Sequence, residues 1–142
     1  TGTDDIEIGL ITFDDISIRY SDVDENGKSR EWFRLPAVPV LDRLTKRLEE
    51  LQASGGTSPD FALREAYKSG AQTVVLITDG GFNSASNPST VVKESIAELE
   101  KTNRSVPRLV IVGAQCAERP ALKANLERLA KDTESQLVLT PE

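Results

Sequence analysis

The chain has 142 residues, 38% of them hydrophobic, a size and composition typical of one globular domain with one core. Its formal net charge is −6 at pH 7 and it has no basic stripe, which excludes a nucleic-acid partner bound through phosphate contacts. The absence of histidine and the single cysteine exclude a catalytic histidine relay, a histidine-ligated zinc ion and an internal disulfide.

The N-terminal part of the chain is predicted to be extended. Residues 6–13 and 16–21 are rich in β-branched and apolar side chains, which favours two strands. The pair Asn26-Gly27 is a strong hairpin signal, and residues 32–35 are the predicted returning strand. Two prolines follow and end this segment, because proline cannot donate to a strand ladder.

Four helices are predicted further along the chain. The first has an apolar stripe of leucines at helical spacing, at positions 41, 44, 48 and 51, with charged residues on its other faces. The second has Ser58 as its predicted N-cap and Pro59 as its first residue, and Gly70 ends it. The third and fourth helices begin at Pro88 and Pro120.

Apolar runs alternate with these helices. Residues 73–78 form an unbroken β-branched and apolar run, which predicts a strand buried on both faces. Residues 109–112 and 136–139 predict two more strands. Because alternating strands and helices are typical of parallel sheets, the sequence predicts an α/β fold. We expect a doubly wound, mostly parallel central sheet with helices on both faces.

Two loops of this fold are candidate ligand sites, because ligands of open parallel sheets bind beyond the carboxyl ends of the strands. One loop is residues 78–81 (Thr-Asp-Gly-Gly), directly after the most apolar strand. The other is residues 54–59 (Ser-Gly-Gly-Thr-Ser-Pro), which leads into a helix. A carboxylate, a hydroxyl across from it and glycines that admit close backbone approach suit a small hard cation such as Mg²⁺.

The same loops carry a family resemblance. Residues 55–63 (Gly-Gly-Thr-Ser-Pro-Asp-Phe-Ala-Leu) and 74–80 (Val-Val-Leu-Ile-Thr-Asp-Gly) resemble the second and third parts of the metal-ion-dependent adhesion site of von Willebrand factor A domains. Residues 8–13 and 109–113 resemble two strands of that family, and the resemblance covers roughly residues 6–139. The chain is most similar to the bacterial intracellular branch that includes the tellurite-resistance proteins. The resemblance implies a Rossmann-like three-layer sandwich.

The resemblance also implies a metal role for two side chains. By this resemblance, Thr57 and Asp79 help to hold Mg²⁺ or Mn²⁺, and the open position of the ion accepts an Asp or Glu of a partner protein. We expect the neighbouring loop residues to form the rim of the partner site and to shift when the ligand arrives. The predicted rim consists of Gly56, Ser58, Gly80, Gly81, Phe82 and Asn83.

The first motif of the family, Asp-x-Ser-x-Ser at the end of a strand, has no good match here. The partial match Asp15-Ile-Ser17-Ile-Arg19 has arginine in the last place and lies in a predicted extended run rather than before a helix. We therefore expect the first strand and helix to lie upstream of Thr1, so that residues 1–142 form one N-terminally incomplete domain. Two protein oxygens alone are too few to hold Mg²⁺ well, so further ligands are expected from that segment.

These features predict a metal-dependent protein-interaction module rather than an enzyme. One alternative is a Mg²⁺-dependent phosphoryl-transfer or hydrolytic domain using Asp79, but the chain has no Gly-x-x-x-x-Gly-Lys-Ser/Thr loop, and no Asp-x-Asp follows a strand of the predicted parallel sheet. Another is a structural scaffold whose metal site has decayed. For Asp79 the competing interpretation is an Asx turn with the glycines after it, and Thr57 is also a possible helix cap.

Two further motifs are predicted to have no ligand role. Residues 22–27 (Asp-Val-Asp-Glu-Asn-Gly) copy half of an EF-hand loop, but Phe33 stands where the twelfth position needs a carboxylate, so a hairpin turn is the better interpretation. Cys116 has no histidine to activate it and is predicted to be inert. No apolar run is long enough to span a bilayer, and the sparing use of cysteine favours a cytoplasmic location.

Overall fold

A computed structural model describes residues 6–9, 11–13, 17–19, 22–23, 29–30, 32–35, 42, 46 and 58–140. The chain divides into two compact units, Thr1–Gly55 and Gly56–Glu142. Each unit has its own secondary structure and is described by itself.

The first unit contains short antiparallel strands. They are β1 (Ile6–Ile8), β2 (Ile11–Phe13), β3 (Ser17–Arg19), β4 (Asp22–Val23), β5 (Ser29–Arg30) and β6 (Phe33–Leu35). The strands form three antiparallel pairs, β1 with β6, β2 with β3 and β4 with β5. The predicted strand over residues 6–13 is thus two strands with Gly9 outside both.

The predicted hairpin is present, with a different returning strand. Val23 of β4 pairs with Ser29 of β5, so the hairpin returns at β5 rather than at residues 32–35. The latter supply β6, which pairs with β1 instead. The Asn-Gly pair itself lies outside the described residues. The strands β4 and β5 pair because a short turn joins them, which is a local signal in the sequence. The partner of β6 is β1, which is distant in sequence, so no local signal predicts that pair.

The predicted leucine-rich helix falls mostly outside the described residues. Asp42 and Lys46, both on its predicted charged face, are helical and exposed. Its four leucines are not among the described residues. Ser17 and Arg19, from the partial match to the first family motif, lie in β3, as expected for an extended run.

The second unit has a parallel sheet and three helices, which confirms the α/β class. The strands β7 (Thr73–Thr78), β8 (Arg108–Gly113) and β9 (Gln136–Leu139) are adjacent in that order, and both pairs are parallel. The helices are α1 (Asp60–Lys68), which precedes β7, α2 (Pro88–Lys101), between β7 and β8, and α3 (Pro120–Thr133), between β8 and β9.

The helix boundaries follow from local chemistry. Pro88 and Pro120 occupy the first turns of α2 and α3, where the missing N–H costs no hydrogen bond. The Asn87 side chain accepts a hydrogen bond from the Thr90 N–H at 3.3 Å and caps α2, which begins at Pro88 as predicted. The prediction for α1 was wrong by one residue, because Pro59 rather than Ser58 is the N-cap and no side chain caps the helix.

The core of the second unit lies between the helices and one face of the sheet. Apolar side chains of β7, β8 and all three helices are buried in this core. The buried apolar residues of this core are Ala62, Leu63, Tyr67, Val74, Leu76, Val91, Val92, Leu99, Leu109, Ile111, Cys116, Leu126, Leu129 and Ala130. Among them Ile111 of β8, Leu126 of α3 and Val92 of α2 are fully buried.

The outer face of β7 is exposed, which contradicts the expectation that residues 73–78 are buried on both faces. Buried and exposed residues alternate along β7, and Val75 and Ile77 are 54% and 63% exposed. Right-handed crossovers between strands in consecutive order place their helices on the same face of a sheet. A doubly wound sheet needs a reversal of strand order, and the three strands described in residues 58–140 have none.

Candidate functional site

The candidate site lies at the carboxyl edge of the parallel sheet, where hydrogen bonds join the ends of all three strands. The Thr78 carbonyl, at the end of β7, accepts from the Ala114 N–H at 2.8 Å, just after β8. The Gly113 carbonyl, at the end of β8, accepts from the Thr140 N–H at 2.9 Å, just after β9. The loops that leave this edge therefore start from fixed backbone positions.

Two side chains at the end of β7 turn the chain out of the sheet. The hydroxyl oxygen of Thr78, a residue only 7% exposed, accepts from the Gly80 N–H at 3.2 Å. The Asp79 Oδ1 accepts from the Gly81 N–H at 2.8 Å, which is the Asx turn that formed the competing interpretation of this residue. Asp79 is nevertheless exposed, so its charge faces solvent at the sheet edge.

Glycine is the only residue type that can occupy position 80 without strain. Its φ is +86°, and a Cβ placed there would lie 2.6 Å from the Leu122 carbonyl oxygen and 3.0 Å from Leu126 Cγ. The Asn125 amide group donates to the Gly80 carbonyl at 3.0 Å. The start of the loop is thereby held against α3.

Of the remaining predicted rim residues, the structure describes Ser58, Phe82 and Asn83. Phe82 and Asn83 follow the turn and are both half-buried, and the Phe82 N–H donates to the Gly80 carbonyl at 3.1 Å. Ser58 is half-buried just before α1. Gly56, together with the predicted metal ligand Thr57, lies outside the described residues.

Asp60 is an important residue that the sequence did not single out. Its Oδ1 accepts from the Ser86 hydroxyl at 2.7 Å, and its Oδ2 accepts from the Asn87 N–H at 3.1 Å. The first turn of α1 is therefore bonded to the residues that open α2. An acidic residue in a first helical turn was the available signal, but that pattern indicates only a favourable helix-dipole interaction, not a partner 26 residues away.

Cys116 lies behind the same sheet edge and is fully buried. A Cβ added to Gly113 would lie 2.8 Å from its sulfur, so the thiol is packed closely against the end of β8. This burial supports the prediction of an inert cysteine, because a reactive thiol must be accessible.

The described residues do not by themselves make a complete metal site. Nowhere in the described ranges do three or more His, Cys, Asp or Glu side chains come together in a way that could hold an ion. Asp79 presents one exposed carboxylate just after β7. Mg²⁺ takes about six oxygen ligands, several of them water, and in proteins one carboxylate is usually joined by further ligands.

Comparisons with protein-family models, with curated proteins and with solved structures give no match. The family resemblance therefore rests on the loop motifs of the sequence. Within the part of the chain that the structure describes, every helix is too short or too polar to cross a membrane.

Proposed function

We propose that this chain is a protein-interaction module whose binding surface is the carboxyl edge of the β7–β9 sheet. The observation that carries the proposal is Asp79, an exposed carboxylate fixed by an Asx turn at the end of a strand whose inner face is buried. Ligand sites of open parallel sheets lie at this edge. A carboxylate with a defined orientation is better suited to recognition than one on a mobile side chain, because less entropy is lost on binding.

We further propose that Asp79 and Thr57 bind Mg²⁺ or Mn²⁺, with the remaining protein ligands supplied from outside the described residues. When bound, the ion would supply the positive charge that attracts an Asp or Glu of the partner protein. Asp79 itself orients one carboxylate oxygen toward the Gly81 N–H. Because this role leaves the second oxygen for a ligand, the Asx turn and a metal role are compatible.

The decisive experiment is calorimetric titration of Mg²⁺ and Mn²⁺ into the full-length protein and two Asp79 variants. Asp79→Asn keeps an oxygen that accepts from the Gly81 N–H but removes the charge, whereas Asp79→Ala removes both. Asp132→Asn is the matched control, because Asp132 is also exposed and also accepts one hydrogen bond, from the Ser89 hydroxyl at 3.2 Å. We expect both Asp79 variants to weaken binding by more than about tenfold and the control to bind like the wild type.

Each alternative function predicts a different experimental result. Binding that is equal in the wild type and in Asp79→Asn would contradict a metal role for Asp79. No binding by the wild type would favour a metal-free scaffold, in which Asp79 has only the role seen in the Asx turn. Phosphate release from a nucleotide or phosphomonoester that requires both Mg²⁺ and Asp79 would favour the enzyme alternative.

A further inference from the structure

Residues 80–87, here called the rim segment, connect the turn after β7 to the start of α2. A loop with two glycines and several small polar residues was expected to shift when a ligand arrives. In the structure, the rim segment has hydrogen bonds at both of its ends. At the β7 end, Asn125 of α3 donates to the Gly80 carbonyl at 3.0 Å.

At the α2 end, a single carboxylate makes the attachment. Both oxygens of Asp60 are used, one by the Ser86 hydroxyl at 2.7 Å and one by the Asn87 N–H at 3.1 Å. The Ser86 N–H donates in turn to the Asn83 carbonyl at 2.9 Å, so the bond to Asp60 constrains the middle of the rim segment as well. Hydrogen bonds to an ionised carboxylate are about twice as strong as neutral ones.

Asp60 also lies at the N-terminal end of a helix. The residue is in the first turn of a nine-residue helix, where the partial positive charge of the helix N-terminus stabilises a carboxylate. Ser86 and Asn87 directly precede α2, whose N-terminus carries the same partial charge. Asp60 therefore lies next to two helix N-termini and is bonded to the chain that enters the second.

We propose that Asp60 is a positioning residue that holds the rim segment in one conformation, so that the surface beside Asp79 is formed before any ligand binds. This inference rests on the proposed function only for the statement that the rim segment belongs to a binding surface. The hydrogen bonds of Asp60 are independent of any metal ion. We therefore expect the rim segment to become less ordered when the charge of Asp60 is removed.

Amide hydrogen exchange of the full chain, resolved by NMR, tests the inference. Asp60→Asn keeps the size of the side chain but removes its charge. It also replaces one of the two accepting carboxylate oxygens by an NH₂ group, which cannot accept a hydrogen bond. We expect the Ser86 and Asn87 amides to exchange about tenfold faster in this variant, while amides in β7 and β8 keep their wild-type rates. Asp132→Asn serves as the control and is expected to leave the rim segment unchanged, because the Asp132 carboxylate accepts from Ser89 of α2 and not from the rim segment.

A double-mutant comparison separates a direct bond from a general effect. Ser86→Ala removes one donor to Asp60, so Asp60→Asn should accelerate exchange less in the Ser86→Ala background than in the wild type. Asp60→Glu keeps the charge and both acceptors and should restore part of the protection. Unchanged exchange at Ser86 and Asn87 in Asp60→Asn, or equal acceleration throughout the second unit, would overturn the inference.

Mg²⁺ titration of the same variants distinguishes this inference from the proposed function. We expect Asp60→Asn to weaken Mg²⁺ binding about threefold to tenfold, because it loosens the segment next to Asp79 without removing a ligand. If the wild type binds no Mg²⁺ but Asp60→Asn still accelerates exchange at Ser86 and Asn87, the metal proposal fails and the positioning role stands. If Mg²⁺ binds through Asp79 but Asp60→Asn leaves the exchange of the Ser86 and Asn87 amides unchanged, the metal proposal stands and the positioning role fails.

Discussion

Gly80 and Leu122 are in direct backbone contact, since a Cβ on Gly80 would lie 2.6 Å from the Leu122 carbonyl oxygen. This contact brings the start of the rim segment against the first turn of α3. The Leu126 side chain packs at the same position, since a Cβ on Gly80 would lie 3.0 Å from its Cγ. A substitution at Gly80 therefore has to displace backbone as well as a core leucine.

Gly80→Ala is expected to lower the free energy of unfolding by about 3 kcal/mol, because strain at a φ of +86° adds to a backbone clash. Urea unfolding followed by circular dichroism measures this loss. Gly70→Ala is the matched control, since Gly70 has a φ of +85° but nothing within 4 Å of an added Cβ. That variant should lose only about 1 kcal/mol. Equal losses at the two positions would show that the contact with Leu122 has no effect.

The Asx turn of Asp79 predicts that charge and hydrogen bonding at this residue are separable. Asp79→Ala should lower the free energy of unfolding by about 1 kcal/mol, because the Gly81 N–H loses its partner. Asp79→Asn retains an acceptor oxygen and should unfold at nearly the wild-type urea concentration. Urea unfolding of both variants without added metal checks this difference. A loss in Asp79→Asn as large as in Asp79→Ala would assign the stabilisation to charge instead.

Local signals in the sequence predicted most of the second unit. The strands over residues 73–78 and 136–139 have the predicted bounds, and the strand predicted over residues 109–112 is one residue longer at each end. Apolar runs and prolines in first helical turns act within a few residues, so they can be identified without knowledge of the fold. Gly70 ends α1 with a positive φ, which is again a local property.

Relationships between distant residues could not be predicted. Whether both faces of β7 are covered depends on other elements of the chain, and an apolar run alone does not reveal this. The bonds of Asp60 to Ser86 and Asn87 join residues 26 and 27 positions apart. The Asx turn was anticipated as an alternative because its donor is only two residues from Asp79. The metal hypothesis stays a prediction, because Thr57 lies outside the described residues.

Burial of Tyr67 predicts a loss of stability at high pH. Desolvation raises the pKa of Tyr67 from 10.0 to about 12, so the folded state retains the phenolic proton that the unfolded chain releases first. The associated stability is fully present below pH 10 and is lost as the pH rises to about 12, by about 2 kcal/mol in total.

Tyr67→Phe isolates this effect from the titration of other groups. The variant has no proton to lose, so its stability should fall less than that of the wild type between neutral pH and about pH 11.5. Urea unfolding of both proteins at the two pH values gives the difference, and the phenolate absorbance of the wild type shows when ionisation occurs. Parallel losses in the two proteins would exclude Tyr67 as the cause.

The exposed outer face of β7 predicts that the chain binds hydrophobic dyes and self-associates. Val75 and Ile77 project from β7 with 54% and 63% exposure, and exposed apolar side chains on a strand promote association. The double variant Val75→Thr, Ile77→Thr should reduce fluorescence of a bound naphthalene sulfonate dye and lower the mass measured by light scattering, with little change in stability. Leu76→Thr is the control from the buried face, 5% exposed, and should instead lose about 3 kcal/mol of stability. Unchanged association in the double variant would show that this face is not the surface through which copies of the chain meet.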